Sequence, residues 1–265
     1  MTDETARAAF DEFYAGQVLV PWDIGGPQPV VQQLVAYGAL RGEVLDPGTG
    51  PGYHAIHYAS HGYPTTGIDG SPAAIELAKR NAERAGVQVD FQVADATKLE
   101  GFEGRFDTVV DSAFYHVFMD DEQTQTQYAR ALHRATKPGA RLFMLEFGRH
   151  NVNGVQFDGL PADNFERVLG AGGWRVDFVG PSTYVGIFGP ETVAFMTKMM
   201  TRVPSGLPGA DEAGTRSDEG AARSAPRHWT AVGEPPSAHA DVGRRRHPPG
   251  LTTREGSTGA NGSLS

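Results

Sequence analysis

The stretch GEVLDPGTGPGYHAI, Gly42 to Ile56, decides the fold. A short apolar run ends in Asp46, then Gly48, Gly50 and Gly52 follow at every second position, and a helical pattern begins at Tyr53. Such a strand, turn and helix opens a parallel sheet, and the glycines let the backbone turn tightly and approach a ligand with no Cβ in the way. Dinucleotide sites space their glycines as G-x-G-x-x-G, whereas here the pattern is G-x-G-x-G, with Thr49 and Pro51 between. The acid before the turn is the sharper clue. A pyrophosphate favours the positive N-terminus of a helix with no anion nearby. Two unit charges about 4 Å apart, in an effective dielectric near ~20, repel by roughly 4 kcal/mol. A carboxylate at this position therefore suits a ligand that carries a cationic centre and no phosphate. The plainer alternative, that Asp46 only ties the turn, stays open at this point.

Outward from this stretch, strand and helix alternate. TTGID predicts a second strand ending at Asp69. SPAAIELAKRNAERAG predicts an amphipathic helix with Ser71 as N-cap, Pro72 in its first turn and Gly86 closing it. VDFQVAD predicts a third strand and FDTVVDSA a fourth. DDEQTQTQYARALHRATKPG predicts a helix capped by Asp120 and stopped at Pro138-Gly139, followed by a fifth strand, RLFMLEFG. PADNFERVLGAGG predicts a helix, WRVDFVG a sixth strand and TVAFMTKMM a last one, antiparallel because no helix separates the two. The fold class expected is α/β: a doubly wound, Rossmann-like sheet of seven strands, mostly parallel. This covers residues 1–203. Residues 204–265 are rich in Gly, Pro, Ser, Ala and Arg, with Trp229 as the one aromatic, and predict a disordered tail.

Composition narrows the function. The 265 residues carry a formal net charge of −9, which argues against broad nucleic-acid binding. There is no cysteine, so disulfides, thiolate metal sites and cysteine nucleophiles are excluded. No stretch has the roughly 18 apolar residues of a membrane helix, and the acidic N-terminus does not read as a secretory signal. The expected setting is cytoplasmic, with no membrane or nucleic-acid partner. No His and acid spacing matches a metal motif, so no metal is expected. Oligomeric state is left open.

Three acids close successive strands: Asp46, then Asp69 followed by Gly70, then Asp95 followed by Ala96. An acid ending the second strand can accept both hydroxyls of a ribose, and one after the third can accept from an adenine amino group. S-adenosylmethionine meets these demands, with its sulfonium, its ammonium and no phosphate.

VLDPGTGPG, GIDGS, VADA and FDTVVDSAFYHVF resemble the successive motifs of class I S-adenosylmethionine-dependent methyltransferases. The resemblance implies that Asp46 and the loop of Gly48, Thr49, Gly50 and Gly52 lie near the methionyl end of the cofactor. It implies ribose at Asp69, adenine at Asp95 and Ala96, and the transferred methyl beside Asp111 and Ser112. PWDIGGPQP, from Pro21, resembles the N-terminal lid of thiopurine-methyltransferase-like small-molecule enzymes, which implies that Tyr14 and Trp22 line the cofactor site. The acceptor expected is a small molecule, planar or apolar given Phe114, Tyr115, Phe118 and Phe147, with oxygen, nitrogen or sulfur as the acceptor atom. His116 is the candidate base and Tyr115 a candidate substrate contact, each against the alternative of a packing role. A cofactor-binding protein without catalysis and a nicotinamide-dependent oxidoreductase are the rival functions.

Overall fold

The computed structural model describes Tyr14 and residues 20–152, 155–187, 189 and 227–231, with backbone only at 150–157 and 227–231. These residues all fall in one unit, Met1–Pro235. Five strands, β1 (Val44–Pro47), β2 (Thr65–Asp69), β3 (Asp90–Val93), β4 (Phe106–Ser112) and β5 (Thr136–Leu145), form a sheet in the order β3-β2-β1-β4-β5. Every pairing in it is parallel. The order reverses beside β1, and the strand ends there open a crevice for a ligand.

Parallel strands need crossovers, and the sequence supplies helices for them. After α1 (Pro29–Ala36) and β1 come α2 (Tyr53–Ser60), α3 (Pro72–Ala85), α4 (Glu122–Ala135) and α5 (Ala162–Ala171). The expected caps of α3 are in place: the Ser71 side chain accepts from Ala74 N, Pro72 stands in the first turn, and Gly86 closes the helix at φ 67°. Strand alternation sends Val44 and Val110 to one face of the sheet, against Val31, Val35 and Tyr58 of α1 and α2. It sends Leu45 and Val109 to the other face, against Tyr128, Leu132 and Val168 of α4 and α5. Each such fully buried side chain contributes about 1.5–3 kcal/mol, so the crevice rests on a rigid floor.

Several expectations shift. The cap of α4 is Asp121, not Asp120: its side chain accepts from Thr124 N, one full turn into the helix. The helix ends at Ala135, before Pro138-Gly139, because β5 already begins at Thr136 to pair with Phe106 of β4. The sixth strand expected at Trp174–Gly180 is irregular chain. Its Trp174 is drawn away instead, donating Nε1 to Ala129 O of α4 at 2.9 Å. Next comes a strand that was not expected, β8 (Ser182–Gly186), after a short antiparallel pair, β6 (His150–Val152) and β7 (Val155–Phe157). Strand β9 (Arg227–Ala231) pairs antiparallel with β8 and belongs to the segment expected to be disordered. It is the stretch holding that segment's Trp and a Thr, both strand-forming residue types. The expected strand TVAFMTKMM lies outside the described residues, as does the rest of the tail.

Candidate active site

The glycine loop is built by φ angles that only glycine adopts cheaply. Gly48, Gly50 and Gly52 sit at φ 66°, 50° and 80°. Protein neighbours also exclude side chains there. A Cβ would stand 2.3 Å from Phe114 at Gly48, 2.7 Å from the Tyr14 hydroxyl at Gly50, and 2.7 Å from Phe91 at Gly52. Close approach of a ligand is thus not the sole reason for the glycines. Pro51 is held by its carbonyl, which accepts from Asn81 Nδ2 at 2.7 Å.

Above the strand ends lies a cleft of about 1270 Å³, its open mouth included. Its floor and walls include Gly48, Thr49, Gly50, Asp69, Gly70, Asp95, Ala96 and Ser112 of the sequence-predicted set. Tyr14 and Trp22 line it from the N-terminal segment, and His116 from the turn after β4. Asp46, Gly52, Asp111 and Tyr115 are not among its lining residues.

Asp46 therefore does not face the ligand. It is 2% exposed and accepts from Thr49 Oγ1 at 2.6 Å, so it ties the loop from beneath. Burial lifts its carboxyl to about 7, against the pull of Thr49 in the other direction. The anions that face the cleft are Asp23, Asp69 and Asp95, and among the described residues its lining holds no lysine or arginine. The electrostatic preference inferred from Asp46 survives, but other carboxylates carry it.

Asp69 works on both sides. Its Oδ2 accepts from Gly50 N at 3.0 Å and its Oδ1 from Ser71 N at 2.9 Å, which locks the loop to the end of β2. Asp95 accepts from Thr97 N and Oγ1 through Oδ1 and pairs with Lys98 Nζ at 3.1 Å through Oδ2. Ser112 Oγ meets Tyr184 Oη at 3.2 Å across the cleft wall. Ala113, beside it, takes φ 63°, a strained left-handed turn that swings the following residues over the site.

Tyr115 is fully buried and donates its hydroxyl to Asn164 Oδ1 at 2.8 Å, far from the substrate contact expected of it. Asp111 is fully buried too. Its Oδ2 accepts from Tyr128 Oη at 2.8 Å and its Oδ1 from Phe114 N at 3.1 Å, so it holds the turn rather than the methyl group. Burial, with Glu146 next, drives its carboxyl well above the usual range. His116 does face the cleft, with its side chain 16% exposed and Nδ1 2.7 Å from Glu146 Oε2. Burial pushes the ring down to about 4, so it is neutral at pH 7. Phe114, Val117 and Phe118 give the cleft an apolar wall, while Phe147 packs edge-on against the His116 ring.

Sequence reasoning missed Glu146, Tyr184 and Asp23. Glu146 had a signal, since it is the lone acid in the apolar run RLFMLEFG. Tyr184 had none, because its segment was assigned no structure. Among the described residues no three His, Asp or Glu side chains converge in a metal-holding group.

Known proteins share this arrangement. Residues 44–139 match the family described as "Methyltransferase domain". The chain is 35% identical over 153 residues to the 2-heptyl-1-hydroxyquinolin-4(1H)-one methyltransferase of Mycobacteroides abscessus, covering 55% of this chain and 66% of that one, just under two thirds. It is 33% identical over 120 residues to an uncharacterized methyltransferase of Schizosaccharomyces pombe, covering 44% of this chain and 80% of the relative. A solved structure concerned with conversion of a disulfide bond into a thioacetal group during echinomycin biosynthesis aligns at TM-score 0.62 and 35% identity, over 69% of this chain and 84% of that one. With the strand order, the acid-lined crevice and these likenesses taken together, the chain belongs to the class I S-adenosylmethionine-dependent methyltransferases.

Proposed function

We propose that the protein methylates a hydroxyl oxygen on a small aromatic acceptor, with S-adenosylmethionine as donor. One observation carries this reading: a single cleft is lined by Asp23, Asp69 and Asp95, with no lysine or arginine among its described lining residues, and by the apolar Phe114, Val117 and Phe118 beside His116. The anionic half fits the donor. A sulfonium and an ammonium are attracted to Asp23, Asp69 and Asp95, whereas a diphosphate would meet three carboxylates, of which Asp95 is paired with a lysine, Lys98. Asp69 would take the ribose hydroxyls, Asp95 and Ala96 the adenine, and Gly48 to Gly50 the methionyl end, with Tyr14 and Trp22 closing over it. When bound, S-adenosylmethionine would supply a methyl carbon on cationic sulfur, to which an acceptor lone pair bonds while the C–S bonding pair leaves with the sulfur.

The chain's own contribution is alignment and proton removal. Holding two reactants in line accounts for much of the acceleration in such displacements. The wall of Phe114, Val117 and Phe118 suits a planar ring and excludes water. A neutral His116 can take the hydroxyl proton. The quinolone relative acts on a hydroxylated aromatic ring system, which supports oxygen as the acceptor atom. The kinship with thiopurine-methyltransferase-like enzymes suggested by PWDIGGPQP, and a catalytic domain spanning 1–203 with 204–265 appended, belong to the same proposal.

The test is incubation with S-adenosylmethionine and, separately, 2-heptyl-1-hydroxyquinolin-4(1H)-one and an aromatic thiol. Mass spectrometry should find one added methyl group on the hydroxyquinolone. Methylation of the thiol alone would move the proposal to sulfur. Absence of donor binding by calorimetry would reject it entirely.

A further inference from the structure

Behind His116 lies a buried group that the reaction as described does not use. Glu146, at the end of β5, has a fully buried side chain. Its Oε2 accepts from His116 N at 3.1 Å and faces His116 Nδ1 at 2.7 Å, while its Oε1 accepts from Tyr115 N at 3.2 Å. The same Tyr115 N–H is shared with Asp111 Oδ1 at 3.3 Å. Two carboxyl groups thus converge on one amide, and they are hydrogen-bonded to each other. Like charges this close and this dry cannot both ionise, so the pair holds one proton.

The donors around Glu146 set what it offers to His116. Glu146 has three N–H or ring contacts, all on the side of His116 and Tyr115. Asp111 accepts from Phe114 N, Tyr115 N and Tyr128 Oη, and burial raises both carboxyls. Both oxygens of Glu146 already accept from backbone N–H groups, so Glu146 presents an accepting carboxylate oxygen to the imidazole. An ionised carboxylate only accepts, so His116 Nδ1 must bear hydrogen, and the lone pair falls on Nε2, the nitrogen with no protein partner among the described residues.

Resting on the methyl-transfer reading above, we propose that Glu146 is the positioning residue of this site: it fixes His116 as the Nδ1–H tautomer, so that Nε2 can accept the acceptor's proton. The hydroxyl proton passes to Nε2, its O–H bonding pair stays on the acceptor oxygen, and the resulting imidazolium donates Nδ1–H to the Glu146 carboxylate. His116, Glu146 and Asp111 come from three places in the chain, the turn after β4, the end of β5 and β4 itself, and meet only because β4 and β5 are adjacent in the sheet.

The test reads the tautomer directly, on the full chain with histidine imidazoles labelled with nitrogen-15. Two-bond nitrogen–proton correlations at pH 8, assigned with the His116→Gln variant, should show His116 with hydrogen on Nδ1. In Glu146→Gln only one side-chain oxygen remains for three donors. The amide NH₂ then meets either Tyr115 N or the His116 edge, and the Nε2–H form should gain by about tenfold or more. A wild-type ring with hydrogen on Nε2 overturns the proposal, and so does a tautomer ratio unchanged by Glu146→Gln. Should Glu146→Gln fail to fold, the wild-type spectrum still decides. Calorimetry with S-adenosylhomocysteine on the same samples separates the two proposals: lost donor binding in the wild type rejects the methyl-transfer reading, whereas bound product with the wrong tautomer rejects only the role of Glu146.

Discussion

At the scale of single residues, carboxylates of one charge do different jobs because their surroundings differ. Asp69 both lines the cleft and is bonded to two backbone amides, so Asp69→Ala removes hydrogen-bonded charge and loosens the loop at once. Donor affinity, measured by calorimetry with S-adenosylmethionine, should fall by at least about 1 kcal/mol, and an unchanged Kd would reject the ribose assignment. Asp46 lies beneath the loop, and its effect should be on stability. Its folded pKa of about 7 lies above the ordinary value of 3.8, so the folded state binds the extra proton between those limits. This group's contribution therefore declines as pH rises through that window and is flat above it. Asp46→Asn keeps an acceptor for Thr49 and abolishes the titration. Relative to wild type, the variant should gain about 2 kcal/mol in stability between pH 5 and pH 8, read from urea unfolding at each pH. Parallel curves for the two proteins would contradict the burial argument.

At the scale of elements, the loop between β1 and α2 and the turn after β4 are where backbone conformation serves the site. Gly52 caps α2 at φ 80°, and a Cβ there would meet Phe91 and Ala78 within 2.9 Å. Gly52→Ala should cost about 2 kcal/mol or more, with the melting temperature as readout, because neither the φ angle nor the neighbours from β3 and α3 can give way cheaply. A variant as stable as wild type would mean that the turn tolerates a side chain. Tyr128 makes the matching case on α4. Its hydroxyl is the donor for Asp111 Oδ2 inside the core, and Tyr128→Phe leaves that buried oxygen without it. A loss of about 1–3 kcal/mol is expected in chemical denaturation.

At the scale of the whole molecule, the N-terminal segment is tied to the far end of the chain by one side chain. Gln28 is 1% exposed; its Oε1 accepts from Val185 N at 2.8 Å and its Nε2 donates to Val185 O at 2.9 Å, so it pairs with β8 as a strand would. Its backbone N–H donates to His54 Nε2 at 3.2 Å, on the helix after the glycine loop. Gln28→Ala would orphan both polar groups of Val185 and should cost about 2–4 kcal/mol, while weakening donor binding through the wall that carries Trp22 and Tyr184; unfolding and calorimetry check the two effects, and an intact donor affinity would show that the wall stands without this tie. The sequence alone determined the parallel sheet, the cofactor and the cleft-lining positions Gly48, Asp69, Asp95, Ser112 and His116, because each is encoded locally, by a strand end, a glycine turn or an apolar period. Tertiary structure alone decided that Asp46, Asp111 and Tyr115 turn inward, that Glu146 stands behind His116, and that Gln28 meets Val185. Those facts depend on which strands lie side by side and which way a side chain points within a layer, and no window of neighbouring residues contains them.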